Sequence, residues 1–396
     1  MTTRSVLPLV LVLASSLLAW RGAAPSADQA IIPAELGRLL FWDPVLSGPR
    51  DVSCATCHHP DFAYADGRAL SLGTGSVGLG PERVDRSGGR IPVMRRNSPT
   101  VLNTAFNGAR RRRRDASSFD GTAASVDQSR APMFWDRRVR SLETQALKPL
   151  ETFEEMRGES YPEAVAVDSV VARLADIPEY VALFEEAYGP AAGGGPPVDE
   201  RRLAGALAAF QRTLVAMNSP FDRFRAGDST ALTPQQRRGE QTFDRVGCDR
   251  CHGGPMFSDF QLHAEGVAEH PLLAQPDTGD GRFRFRTPTL RNVALTAPYM
   301  HNGVLSDLEE VLRFYDEGRS RNPAVEEGRR RRDDRTPRLD GQFRGVRDMS
   351  ESEMADIIAF LEALSDGAFD RTVPARVPSG LTPGGAILPV RTSASR

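Results

Sequence analysis

Cysteine is scarce in this chain, 4 in 396 residues, and histidine is nearly as rare, at 6. So few cysteines in so long a chain exclude a small disulfide-stapled scaffold. Lysine is almost missing: Lys148 is the only one, and arginine carries the rest of the basic charge. The formal net charge of -2 gives no overall bias toward nucleic acid or a membrane surface. The alternation of apolar and polar residues that marks a half-buried strand is also almost absent, which argues against a sheet-based fold. What is present, 40% hydrophobic and 26% charged residues, is the composition of a soluble globular protein. The length suffices for two domains of ordinary size.

One apolar run stands out, from Val6 to Trp20, with Arg4 before it and Gly22, Ala23 and Ala24 after it. It falls short of the roughly 20 apolar residues that span a bilayer. It reads as a secretory signal peptide over residues 1–24, with an uncleaved N-terminal anchor as the alternative. No cysteine follows the run closely, so a lipid-modified N-terminus is excluded. The expected address is the periplasm, with no membrane span in the mature chain.

All the cysteines fall in two copies of one pattern, Cys54-Ala55-Thr56-Cys57-His58 and Cys248-Asp249-Arg250-Cys251-His252. C-x-x-C-H is the spacing at which two thiols bond a haem's vinyl groups and the next histidine ligates the iron. A zinc ribbon would place about 15–20 residues between its cysteine pairs, far fewer than separate these. A redox disulfide would sit in a βαβ pattern, which neither copy shows. Two haem c groups are therefore expected, with His58 and His252 as axial ligands. Covalent attachment takes place outside the cytoplasm, so export and the two motifs support each other.

Spacing and capping residues give the helices. Leu36, Leu39 and Leu40 have helical spacing within Ala34 to Trp42, and Asp43-Pro44 ends that helix. Gly67 to Arg96, rich in Gly, Ser and Pro, reads as a long loop and holds no histidine. A second irregular stretch, Gly108 to Met133, carries the run Arg110 to Arg114, read as a solvated loop with docking of an acidic partner as the alternative. Helices resume at Leu142 and continue in pieces to about Met217, with Leu203, Leu207, Phe210 and Leu214 on one apolar face. Thr233 with Gln236, Ser306 with Glu309, and Ser350 with Glu353 read as capping boxes, and Gly367 as the stop of the last helix. The stretch that follows reads as a flexible tail, or as a strap laid on a neighbouring domain. The expected fold is mainly α, with two domains of short helices and long loops, each wrapped around one haem: 25–225 and 226–370, with a tail over 371–396.

Iron with two protein ligands passes electrons, whereas iron with one can also bind peroxide. The first half offers only His58 and His59, and His59, next to the proximal ligand, cannot easily reach the opposite haem face. Met94, Met133 and Met156 are the other candidates there, each more simply a core residue. An open first haem is expected. The second haem has His263, His270, His301, Met300 and Tyr315 available. By spacing alone Tyr315, in register with Leu308, Val311 and Leu312, reads first as a core aromatic.

Several stretches carry a resemblance that changes these odds. They are Leu40-Phe41-Trp42-Asp43-Pro44-Val45-Leu46-Ser47, Arg96-Asn97-Ser98-Pro99-Thr100, Phe134-Trp135-Asp136, and the long run from Arg286 through Asn292 and Pro298 to Gly303. Over nearly the whole mature length the chain resembles the bacterial dihaem cytochrome c peroxidases and their relative MauG. The resemblance implies two cytochrome c-like domains, a peroxide-reacting N-terminal haem and a C-terminal haem that receives electrons. It implies a distal glutamine at Gln145, an acid/base carboxylate at Glu155 and an electron relay at Trp135. Among the neighbouring Glu151, Glu154 and Glu159 the residues alone do not choose. Peroxidases that need reductive activation carry a removable histidine in the loop after the first motif, and this loop has none. Tyr315 stands where ordinary peroxidases have methionine and resembles the axial tyrosine of MauG; a phenolate favours ferric over ferrous iron. The family also holds a calcium ion, which the resemblance assigns to Asn97 and the carbonyls of Thr296 and Pro298, with Asn97 as a plain turn residue the alternative.

The expected protein is an exported dihaem peroxidase of the MauG-like branch. It reduces hydrogen peroxide to water at the first haem, with electrons entering through the second from a small donor such as a cytochrome c or cupredoxin. The alternatives are a MauG-like oxidase that modifies side chains of a partner protein, and a pure electron-transfer cytochrome with both irons six-coordinate. Nothing in the residues selects between a monomer and a homodimer.

Overall fold

The computed structural model describes residues 31–109, 126–326, 337–343, 346 and 348–387. The signal expected over 1–24 and the arginine run at 110–114 lie outside them. Among the described residues the helices in chain order are α1 (Pro33–Trp42), α2 (Cys54–Cys57), α3 (Leu142–Glu151), α4 (Ala166–Ala175), α5 (Pro178–Tyr188), α6 (Glu200–Thr213), α7 (Pro220–Arg225), α8 (Pro234–Arg245), α9 (Leu308–Glu317) and α10 (Glu351–Glu362). Sheet among the described residues is confined to two antiparallel ladders of two residues a strand, β1 (Ser76–Val77) with β2 (Val84–Asp85) and β3 (Leu262–His263) with β4 (Phe285–Arg286). The loop from Gly67 to Arg96 is irregular apart from β1, β2 and a 3-10 turn between them at Gly80–Glu82.

The same packing plan occurs twice. In the first half α1 crosses α6, and a Cβ on Gly37 would collide with the Ala206 carbonyl. In the second half α8 crosses α10, and a Cβ on Gly239 would collide with the Asp356 carbonyl. One helical turn beyond each glycine a phenylalanine locks the crossing edge-on: Phe41 against Phe210 at 5.1 Å, and Phe243 against Phe360 at 5.4 Å. The loops repeat as well. Thr100 donates its hydroxyl to the Ala63 carbonyl and Thr289 donates to Met256. Asn103 and Asn292, both left-handed, accept side-chain hydrogen bonds from the backbone of Ala216 and Asp366. Behind this lies a repeat in the sequence itself, Pro99-Thr100-Val101-Leu102-Asn103 against Pro288-Thr289-Leu290-Arg291-Asn292.

Most caps sit where the sequence puts them. Thr233 and Gln236 close the box on α8, and Ser350 and Glu353 close the one on α10. For α9 the cap is Asp307, whose carboxylate accepts the Glu310 N–H at 2.8 Å, rather than Ser306, which bonds Glu310 from outside the helix. The last helix ends at Glu362, before Gly367, which has open space around it. Its buried side holds Phe360 as well as Met354, Ile357 and Leu361.

Residues beyond Gly367 run back over the first half as a strap. Phe369 and Val377 are buried in the core of Leu36, Leu40, Phe41, Leu203, Leu207 and Phe210. Ser379 donates its hydroxyl to Asp43, Gly384 donates its N–H to the Trp42 carbonyl, and Thr56, inside the first C-x-x-C-H, donates to the Gly384 carbonyl at 3.0 Å. The segment expected as a tail over 371–396 is thus held in place through residue 387, because its apolar side chains complete a core that the first half leaves open. Ahead of α8, Phe221 on α7 already packs on Phe257 and Phe360 of the second half.

Gly37→Ala and Gly239→Ala are expected to destabilise the protein although alanine gains about 1 kcal/mol of helix propensity over glycine. Overpacking at a backbone contact costs typically 1–3 kcal/mol and more where neither helix can yield. Denaturant unfolding of each variant measures the net sign.

Candidate haem sites

Both motifs sit at the start of a short helical turn, and in both the histidine is fixed in the same way. His58 Nδ1 lies 3.0 Å from the Tyr64 carbonyl and His252 Nδ1 lies 3.1 Å from the Phe257 carbonyl. A carbonyl can only accept, so Nδ1 carries the proton and Nε2 keeps its lone pair for a metal. Burial pushes both imidazoles down to about 4, which leaves them neutral at pH 7. The thiols of Cys54, Cys57 and Cys248 are pushed up to about 12 by burial, and none of the four cysteines is in a disulfide. Protonated thiols beside oriented neutral imidazoles suit thioether attachment to a haem better than a thiolate zinc site.

Each motif opens onto a cavity. The first, of about 630 Å3, is lined by Cys54, Cys57 and His58 together with Gln145, Pro149 and Glu155. The second, of about 150 Å3, is lined by Cys248, Cys251 and His252 together with Glu265, His301 and Tyr315. Trp135 lines both. It is 8% exposed, and its indole N–H donates to the Asn97 carbonyl at 2.9 Å.

Glu155 reaches its cavity through a change in helix type. α3 carries Pro149 near its end, and after Thr152 the chain makes one π-helical turn, Phe153–Arg157. Such wide turns recur at functional sites because they redirect side chains that an α-helix would carry elsewhere. The turn is held by Thr74, whose N–H donates to the Glu155 carbonyl at 2.8 Å, and by Gly48, which donates to the Met156 carbonyl at 2.7 Å. Gly73 lies against the carbonyls of Glu154 and Glu155 where no Cβ fits, so the long loop is packed onto this turn. Glu155 keeps some accessible surface, which faces the cavity, and burial lifts its carboxyl to about 7 against the pull of Arg138. The other carboxylates separate by position. Glu151 pairs with Lys148 and Glu159 with Arg90, while Glu154 shares the cavity. Met94, Met133 and Met156 line the cavity too, Met133 and Met156 as buried members of the cores.

In the second cavity the histidine candidates narrow. His263 is clamped between Asp259 and Asp340, both at 2.9 Å, so both its ring nitrogens are engaged by carboxylates, which raise its pKa. His270 does not line the cavity, whereas His301 does. Tyr315 lines it and donates its hydroxyl to Glu265 at 3.1 Å. Burial and that carboxylate hold the phenol well above its usual pKa. Glu265, itself raised by burial, is 50 residues away in the chain, so no spacing pointed to it. The residues assigned to calcium, Asn97, Thr296 and Pro298, all line the first cavity. Asn97 donates its Nδ2–H to the Arg68 carbonyl at 2.7 Å, which turns Oδ1 the other way.

A sequence profile described as di-haem cytochrome c peroxidase matches residues 33–230. Methylamine utilization protein MauG of Methylorubrum extorquens is 34% identical over 345 residues, covering 86% of this chain and 80% of that protein. The chain belongs to the di-haem cytochrome c peroxidase family. Its fold is therefore two cytochrome c-like domains, its cofactors are two c-type haems, and it is a peroxidase-type oxidoreductase. Within the family, cytochrome c551 peroxidase of Pseudomonas aeruginosa is 35% identical over 289 residues, 70% of each chain. A crystal structure of a MauG-like protein associated with microbial copper homeostasis superposes with a TM-score of 0.62 at 25% identity, covering 88% of this chain and 96% of that one.

The oriented imidazoles and unbridged thiols fit a covalently held haem in each half. Replacing Cys54 and Cys57 together by alanine is expected to halve the covalent haem per chain, as is replacing Cys248 and Cys251, with haem staining and pyridine haemochrome assay as the measurement.

Proposed function

We propose that this di-haem peroxidase reduces hydrogen peroxide to water in the cavity beside His58 and draws its electrons from the cavity beside His252. The observation that carries the reading is the meeting of Gln145 and Glu155 with the first motif in one cavity, with the Glu155 carboxyl poised at about 7. A haem held by Cys54, Cys57 and His58 would supply the redox-active iron for peroxide reduction. The Glu155 carboxylate takes a proton from one peroxide oxygen and hands it to the other, so that the departing oxygen leaves as water. Gln145 offers an amide to orient the peroxide. The full reduction consumes two electrons and two protons and yields two waters. Trp135, buried where the two cavities adjoin, is the relay between them, a role supported by its place in both walls.

In this reading Tyr315 would supply an oxygen ligand to the second iron when haem is bound, in place of its hydrogen bond to Glu265, and Asn97 with the carbonyls of Thr296 and Pro298 would hold calcium. Export to the periplasm, through the signal over 1–24, belongs to it as well; among the described residues no helix is long and apolar enough to cross a membrane. The electron donor is a small redox protein of the cytochrome c or cupredoxin kind. A second reading, oxidation of side chains on a partner protein, is favoured by Tyr315 and by the likeness to MauG. Turnover with reduced small donors supports the first reading, and peroxide-driven modification of a protein without them supports the second.

On mixing with hydrogen peroxide, the protein with both irons ferric is expected to lose its high-spin EPR signal within the dead time of rapid freezing. No change until one haem is reduced would show that a side chain closes the first site. Glu155→Gln is expected to lower kcat with peroxide by about 10²–10⁴-fold. In the parent protein kcat/KM should rise with pH through about 7, because the carboxylate is the base and protonation below that value removes it; the glutamine variant should lack this limb.

A further inference from the structure

Several polar side chains of the second cavity are answered within the protein. His263 is held by two carboxylates and Tyr315 by Glu265. Asn322 donates to the Val267 carbonyl and to Glu269, and Arg286 donates to the Phe134 carbonyl. His301 is different. It is 5% exposed, and its Nε2 has no hydrogen-bond partner. Its ring is not free to turn away, because it lies flat on Phe285 with centroids 3.5 Å apart and planes 11° from parallel. A buried ring nitrogen left bare is costly and therefore rare, and it marks a place where a bound group completes the hydrogen bonding.

The second haem is the group this cavity holds, and a haem has only two kinds of polar site. One is the iron; the other is the pair of propionate carboxylates on the edge away from the vinyl groups that Cys248 and Cys251 take. A carboxylate accepts, and a neutral imidazole has one N–H to give. We infer that His301 donates its Nε2–H to a propionate of the second haem. The contact has a structural continuation. The His301 carbonyl accepts the Asn97 N–H at 2.8 Å, and the Asn97 carbonyl accepts the indole N–H of Trp135 at 2.9 Å. The residue that holds the haem's polar edge is thereby tied, through one intervening residue, to the tryptophan shared by both cavities. The inference rests on the second haem and not on Tyr315, Glu155 or the peroxidase reading.

The test uses the holoprotein and two variants, His301→Phe, which keeps a ring to stack on Phe285 but has no donor, and His301→Gln, which keeps a donor. Resonance Raman spectra report the propionate bending bands, and spectroelectrochemical titration reports the potential of each haem. In the Phe variant one propionate band is expected to shift and the second haem's potential to fall, since a lost donor leaves more charge on the carboxylate, while the first haem's potential stays put. The Gln variant is expected to restore both. An unmoved propionate band in the Phe variant overturns the inference. So does loss of the second iron's axial-ligand signature in EPR, which would make His301 an iron ligand. Should the Phe variant fail to fold, the Gln variant decides: a band within the parent's range supports the contact, and a spectrum of altered iron ligation overturns it.

Discussion

A single hydrogen bond beneath each haem site sets the terms for everything around it. By giving its Nδ1 proton to a backbone carbonyl, each motif histidine is fixed in tautomer and ring plane and has only Nε2 to offer. The carbonyls come from Tyr64 and Phe257, both in left-handed backbone that local contacts have to hold. Those contacts are the rest of the fold. Tyr64 is gripped through its hydroxyl by the Asp370 carbonyl and through its own carbonyl by the Val101 N–H, and Phe257 is wedged among Phe221 and Phe360. The helix crossings at Gly37 and Gly239 carry Phe210 and Phe360, which pack with the aromatic rings around these residues through Phe41 against Tyr64 and through Phe257 itself.

On this shared plan the two halves diverge where their chemistry is expected to. The first opens a wide cavity and places in it a carboxyl near neutrality, on a turn that the long histidine-free loop buttresses. The second is tight and has Tyr315 and Glu265 bonded to each other within it. One half has room for a small reactant, while the other surrounds its cofactor closely, which suits a site that exchanges electrons with little rearrangement. Trp135 belongs to neither half alone, since Arg286 donates its backbone N–H to the tryptophan's carbonyl across 151 residues of chain.

Features with local causes were legible in the sequence. The covalent haem motifs depend on five adjacent residues, and the boxes at Thr233 and Ser350 depend on four, so both could be read directly. The α9 cap was displaced by one residue because Ser306 and Asp307 are both good caps, and only the backbone angles at Asp307 decide between them. The placing of Glu155 in the first cavity was not legible, because it depends on a π-helical turn that contacts Gly48, Gly73 and Thr74 from another segment. Nor could spacing find the partnership of Glu265 with Tyr315, or the aromatic stack that pins His301. The repeated Pro-Thr-x-x-Asn is visible once both copies are aligned, and its two threonines and two asparagines make matching bonds.

The strap has a consequence for the order in which the protein can be assembled. Phe369 and Val377 are core residues of a half whose other members begin at Leu36, so that half is completed by residues far along the chain from those that start it. Contacts of such sequence separation are slow to form and leave apolar surface bare in the meantime. For most proteins that is a hazard. Here the strap also meets the first motif, at Thr56, so the core that depends on these distant contacts is the one that borders a haem site.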